Sequence, residues 1–447
     1  MTDQAATFPV QTSLDPWFWR GALFIAVLLL IYITLEPFAD LSGVVANSNE
    51  GGNLVTLYLL LAGLAAAVFF KLEPRERQVL RRAFTPGLIA FYLWVLVSVF
   101  TSTDVALSAR RLFPLLAVTI FGAGLFLLPR SPQHLAGLLA FICGSLLFLS
   151  YFGVIFLPNL SIHLASDPGE PQLAGDWRGV FGHKNTAAGM FAIVGFMGIY
   201  VARIKNRAAG TLIFLLATVF LYNSGGKTSF GMYFTTILVS ALAINVRAQW
   251  LRSALILFPF AVLALLGVGS VMFPALGSFT ASLPIDATFT GRTEIWRFAL
   301  DNAATRPWLG FGYEAFWATD FAKYGSDNPE VWSGAASHAH NAFLNVALTM
   351  GLPGVILTVA VFVFGGLKRF NRAWAATEDR TLLLLFLQIW SFGLYLANLE
   401  SVLVFKYDPV WTTFLFAFFG LHYLGNFPLS SETDAKVNFD AYQENPA

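Results

Sequence analysis

GRTEIWRFALDNAATRPWLGFGYEAFW (Gly291–Trp317) and SHAHNAFLNVALTMGLPG (Ser337–Gly354) belong to the one long central stretch that is not a membrane-length apolar run. That stretch runs from Pro274 to Gly354. Loops beyond about 12–15 residues are uncommon unless they are functional or disordered. Trp296, Trp308, Trp317 and Trp332 are aromatic content that a disordered segment lacks. The reading is a folded, water-facing module seated between membrane helices, and the chemistry is expected there.

Composition sets the class around it. The chain has 447 residues, of which 57% are hydrophobic, 16% aromatic and only 12% charged, with a mean hydropathy of +0.66. A soluble domain carries roughly 25% charge. Few charges and many long apolar runs read as an all-α, polytopic membrane protein. A net charge of +1 gives a nucleic-acid partner no support. Cys143 is the single cysteine and lies in an apolar run, so neither a disulfide framework nor a cysteine-based metal site is expected. The first apolar run lacks a small-residue cleavage site and is followed by Glu36 and Asp40, which reads as an anchor rather than a removed signal.

A membrane span needs about 20 mostly apolar residues. About twelve runs qualify: Trp17–Leu35, Leu54–Phe70, Gly87–Phe100, Leu112–Leu128, Leu135–Leu157, Ala187–Val201, Thr211–Tyr222, Phe230–Asn245, Leu251–Phe273, Asn341–Phe364, Thr381–Asn398 and Pro409–Leu424. Alternate loops hold fifteen Lys and Arg, which makes them cytoplasmic, and the longer opposite loops hold ten. The chain then divides into a cytoplasmic tail (1–16), transmembrane helices 1–9 (17–273), an external loop (274–340), transmembrane helices 10–12 (341–424) and a second cytoplasmic tail (425–447). The external loop is expected to carry short amphipathic helices.

The external basic residues are Arg110, Arg111, Arg178, Lys184, Lys227, Arg292, Arg297, Arg306, Lys323 and Lys406. Charges at a membrane edge are costly and tend to be functional. A cluster of cations at headgroup depth suits a lipid-linked phosphate, although each alone also fits a side chain snorkelling to the headgroups.

His338 and His340 sit in S-H-A-H-N, just before an apolar run that starts near Asn341 and is first interrupted at Gly351 and Pro353. A helix N-terminus favours neutral imidazole and offers free N–H groups to an anion. Three roles stay open for the pair: a structural cap, an H-x-H metal pair, or a general base. Arg292 opens an amphipathic helix, either as an interfacial anchor or as an anion contact at phosphate depth. Ser224-Gly225-Gly226-Lys227-Thr228 is no nucleotide loop, since that motif needs glycine where Leu221 stands. Lys227 fits a phosphate contact in a tight external turn. Arg178-Gly179-Val180-Phe181-Gly182-His183-Lys184-Asn185 packs Arg, His, Lys and Asn into eight residues at a membrane edge, more than anchoring requires.

Together these segments resemble a known family. His340-Asn341, nine residues, then Gly351-Leu352-Pro353-Gly354 fits the H-N-x9-G-x-x-G pattern of the O-antigen ligase and polymerase superfamily. G-R-T-E-I-W, R-P-W-L-G-F-G-Y and S-H-A-H-N resemble its long periplasmic loop. R-G-V-F-G-H-K-N and S-G-G-K-T-S resemble its exopolysaccharide-polymerase branch, of the succinoglycan type. The likeness covers roughly residues 175–360, and many ligases carry arginine where this chain has Lys227.

The resemblance implies an inverting, metal-independent glycosyltransferase of the bacterial inner membrane with a periplasmic active site and no cofactor. Its donor would be a sugar chain on undecaprenyl diphosphate. Lipid-linked oligosaccharides, membrane lipids and other polysaccharide assembly proteins would be its partners. On the matching positions, His340 is the base, with Arg292 and Lys227 as the cations. Arg178, His183, Lys184, Asn185, Arg110, Arg111, His338 and Asn341 are further substrate-binding candidates on charge and side. Exopolysaccharide polymerase is the first expectation and O-antigen ligase the second. A transporter of lipid-linked sugars is disfavoured, because it would carry charges deep within its spans.

Overall fold

The computed structural model describes residues 16–33, 37–41, 52–167, 170–283, 289, 291–317, 338–378, 380–405 and 408–427. The sequence-based expectations for Trp332, Lys323, Lys406 and nearly all of the second tail lie outside these residues.

Each of the twelve apolar runs is helical. The first half comprises α1 (Pro16–Ile33), α2 (Gly52–Lys71), α3 (Pro74–Ala83), α4 (Pro86–Phe100), α5 (Val105–Gly124) and α6 (Pro132–Phe156). Then come α7 (Lys184–Ile204), α8 (Arg207–Asn223), α9 (Lys227–Ala243), α10 (Gln249–Leu266), α11 (Pro274–Ser282) and α12 (Arg292–Thr305). The last are α13 (Ala342–Thr358), α14 (Gly365–Ala376), α15 (Arg380–Leu396) and α16 (Pro409–Asn426). The fold is all-α, and the one β-type pairing among the described residues is an isolated bridge between Ile162 and Trp177.

Among the described residues, five helical stretches are long and apolar enough to cross a membrane: Val105–Leu127, Pro132–Phe156, Lys184–Ile204, Gln249–Met272 and Ala342–Ala376. A sixth forms if α2 and α3 count as one span across their 118° bend. The chain is a multi-pass membrane protein, and a total of twelve requires its shorter apolar helices to cross as well. The 17-residue α8 reaches about 26 Å at 1.5 Å per residue, just under a hydrocarbon core of about 30 Å.

The basic connector after α2 is a helix rather than a loop. Pro74 opens α3, Glu73 and Glu76 form a capping box, and Val79, Leu80 and Ala83 turn inward. Arg20 of α1 pairs with Glu76 at 2.6 Å, fixing that end of the bundle.

α7, α15 and α16 pack together in the middle, and nearly every residue of α15 and α16 is buried. α7 meets α8 where Gly198 faces Gly210, and a Cβ on Gly210 would lie 2.1 Å from the Ala202 nitrogen. Small residues that let backbones approach are how helices associate where lipid gives no hydrophobic drive.

α13 is the element that positions the site. Its path breaks at Gly351, which adopts φ 67° and ψ −174°, two residues before Pro353. Such a break strands helix carbonyls, and an unsatisfied carbonyl at membrane depth costs several kcal/mol on the order of magnitude. Here the R-P-W-L-G-F-G-Y turn supplies the missing donors. The Phe311 N–H donates to Leu348 O and the Gly312 N–H to Thr349 O, both at 2.9 Å. The Trp94 indole N–H donates to Met350 O at 2.9 Å, and Leu352 N–H to Pro307 O at 2.8 Å. The turn is therefore stitched into the apolar helix it lies against.

Candidate active site

The module around α12 has its own small core. Ile295, Trp296 and Ala299 of α12 are fully buried. Trp296 clusters with Phe311, Phe316, Leu344, Leu348 and Leu399. α12 is thus more than an interfacial anchor: it is clamped between the first half of α13 and the segment after α15.

That clamp assembles the site. Asn341 caps α13 by accepting the Leu344 N–H at 2.8 Å, and its Nδ2 donates to Asn398 O at 2.7 Å. The Ala342 N–H donates to Ala397 O at 2.8 Å. The start of α13 is thereby docked on the end of α15, which brings Glu400 beside His340. His340 Nδ1 lies 3.1 Å from Glu400 Oε2. Arg292 Nη2 pairs with Glu400 Oε1 at 2.5 Å, and its Nη1 donates to Leu399 O. Asn185 Nδ2 donates to the same Oε1 at 3.0 Å. One carboxylate thus joins residues from α7, α12 and the turn before α13.

Burial alone would raise the Glu400 carboxyl. The charge of Arg292 and the hydrogen bond and charge of His340 outweigh it and hold the group down at about 2. Glu400 is therefore ionised and can only accept at this contact, so His340 Nδ1 donates the hydrogen bond and Nε2 is the ring nitrogen left to act on a substrate. His340 stands at φ 47°, a left-handed backbone uncommon for a non-glycine residue. Such strain of about 1–3 kcal/mol persists where the surroundings over-determine it. The ring of His338 packs 4.1 Å from that of His340, and its Nδ1 accepts the His340 N–H at 3.2 Å. Burial, then the charge of His340, push His338 down to about 3. His338 acts as a neutral support for its neighbour.

A second group sits at the start of α7. His183 caps that helix, its Nδ1 accepting the Asn185 N–H at 3.1 Å while Nε2 meets Glu170 Oε2 at 3.1 Å. His163 lies between Asp167 Oδ2 and the Lys184 N–H, each at 3.2 Å. Lys184 Nζ pairs with Asp176 at 2.5 Å. The turn bearing Lys227 packs on this group, for Gly225 lies against Asp176 and Trp177 donates its N–H to Asn223 O. Lys227 opens α9 with an exposed side chain that makes no hydrogen bond or ion pair among the described residues.

Residues 212–359 match the protein family described as O-antigen ligase. Over 222 residues it is 31% identical to the exopolysaccharide production protein ExoQ of Rhizobium meliloti (strain 1021), a match covering 45% of this chain and 48% of that relative. The chain spans about half the length of the curated relative it matches. Both likenesses point to the O-antigen ligase and polymerase superfamily that the motifs resemble.

The matched stretch contains Lys227, Arg292, His338, His340 and Asn341. Glu400, which binds three of the site's side chains, lies outside it, as do His183, Lys184 and Asn185. Three other candidates stand apart from the cluster. Arg178 is 1% exposed and donates to Ala39 O at 2.9 Å and Phe181 O at 3.3 Å, so its guanidinium folds the loop. Arg111 donates to the carbonyl of Glu314, which docks α5 on the external turn. Arg110, next to it, is exposed. Reading the sequence missed Glu400 and Glu170. The available signal for Glu400 was an acidic residue directly after an apolar run.

Among the described residues no group of three or more His, Cys, Asp or Glu is placed to hold a metal ion.

Proposed function

We propose that this protein is a glycosyltransferase of the bacterial inner membrane that polymerises undecaprenyl-diphosphate-linked repeat units into exopolysaccharide at its periplasmic face. The observation that carries the reading is the His340–Glu400–Arg292 arrangement, in which His340 and Arg292 lie within the stretch that matches the ligase family. His340 Nε2 takes the proton of an acceptor sugar hydroxyl, and Glu400 steadies the imidazolium that forms. The hydroxyl oxygen attacks the anomeric carbon of the donor and inverts it. The bond to the phosphate oxygen breaks, and its electron pair leaves with the undecaprenyl diphosphate. Diphosphate is a good leaving group, so fixed cations can stand in for a general acid. Arg292 commits one edge of its guanidinium to Glu400 and Leu399, which leaves its remaining N–H groups to bind the phosphate. Lys227 adds charge at the start of α9, where helix N–H groups also favour an anion.

Purified protein given lipid-linked repeat units should convert them into longer chains. Repeat units left at their starting length would reject the reading. Activity is expected to persist in EDTA, since the charge is supplied by arginine and lysine. Loss on chelation that zinc or magnesium restores would return the H-x-H pair to consideration as ligands.

The O-antigen ligase family description supports one rival, transfer of polymer to lipid A core. The likeness to an exopolysaccharide production protein favours polymerisation. A deletion strain should accumulate single repeat units and lose long exopolysaccharide, with its lipopolysaccharide unchanged. A strain that still makes long polymer but leaves lipid A core bare would decide for the ligase.

A further inference from the structure

We infer that Glu170, held in place by His183, binds hydroxyls of the acceptor sugar beside His340. This rests on the reading above that His340 is the base. His183 accepts the Asn185 N–H on Nδ1, which leaves Nε2 to donate, and the atom it meets is Glu170 Oε2 at 3.1 Å. The imidazole therefore grips one carboxylate oxygen. The other, Oε1, has no hydrogen-bond partner among the described residues. The Glu170 side chain is 39% exposed against 10% for Glu400, so it is reachable from outside while Glu400 is enclosed.

Its position beside the base follows from two links. Asn185 ties the His183 turn to Glu400, the partner of His340. The Glu170 carboxyl is held below the usual carboxylate range by the His183 hydrogen bond, against the effect of burial, with the charges of His183, His163 and His340 adding to it. Glu170 is thus an ionised carboxylate within electrostatic reach of the catalytic imidazole. Such a group accepts charge-assisted hydrogen bonds from hydroxyls, and adjacent sugar hydroxyls can bridge its two oxygens. It repels a diphosphate. The site then has two ends, with Arg292 and Lys227 for the donor's diphosphate and Glu170 for the incoming sugar. Glu170 touches substrate in this scheme, and His183 is a positioning residue.

The test uses full-length protein in detergent, the lipid-linked repeat unit as donor and the repeat-unit oligosaccharide as its octyl glycoside as acceptor. KM is measured for each substrate separately. Glu170→Gln keeps an oxygen for His183 but removes the charge. It should raise the acceptor KM by about tenfold or more, leaving the donor KM and kcat within about twofold. Glu170→Asp keeps the charge and should recover part of the loss. An unchanged acceptor KM in Glu170→Gln, with wild type active, overturns this inference alone. A rise in the donor KM instead assigns the carboxylate to the donor sugar and also overturns it. A wild-type protein that extends neither substrate sinks the polymerase reading and this inference together.

Discussion

Glu400 is the residue on which the site's electrostatics turn. Its carboxyl is held at about 2, against about 4.3 for an unfolded glutamate. Its charge therefore stabilises the fold above about pH 4.3, and that contribution is lost as pH falls towards 2. Glu400→Ala leaves the partly buried Arg292 without its counter-charge and should cost on the order of 3 kcal/mol. Glu400→Gln keeps hydrogen bonding and should cost less, yet slow turnover on the order of a hundredfold. Near wild-type turnover in Glu400→Gln would remove Glu400 from the proton-transfer scheme. His340→Ala should abolish turnover with membrane insertion intact, and near wild-type polymer from it in cells would refute the base. His340 and Arg292 could be singled out in the sequence because helix-start patterns are local, and the family resemblance supplied their expected roles. Glu400 was not, because its meaning lies in partners 60 and 108 residues away. Arg292→Lys tests the double duty of the guanidinium: an ammonium cannot hold Leu399 O, Glu400 and a phosphate in fixed geometry. Partial activity, below wild type and above Arg292→Ala, is the expected result.

At the scale of elements, the interrupted α13 was read correctly from Gly351 and Pro353. The reason the interruption is tolerated was not. R-P-W-L-G-F-G-Y was legible as a motif, but its donors meet carbonyls almost forty residues later, which no local pattern encodes. Gly351 requires φ 67°, and a Cβ there would stand 2.4 Å from Trp308 O. Gly351→Ala should therefore destabilise by about 1–3 kcal/mol from backbone strain alone, with the clash added. A thermal melt followed by size exclusion in detergent reads this directly. An unshifted melt would mean that the turn moves aside freely and is not part of the helix's support.

For the whole molecule, apolar length was the legible quantity. All twelve runs became helices because an apolar run of that length buries its backbone polar groups only by coiling on itself. The basic connector after α2 was misread as a loop because its short amphipathic pattern was weighed only as charge. Orientation can be checked on a chain with Cys143 replaced. Cysteine at the exposed Ala174 should react with an impermeant maleimide from outside. Cysteine at Ala375 should react only after the inner membrane is opened. The reverse labelling would move the site to the cytoplasm and remove its donor.

The order in which the site's parts are synthesised also matters. Asn185, Arg292 and His340 leave the ribosome before the carboxylate that binds them. Until the segment after α15 is made, the Glu400 contacts of Arg292 and His340 cannot form. On the proposed mechanism, a partly made chain that already holds the whole matched stretch would still be inert, and competence would arrive in one late step rather than by degrees.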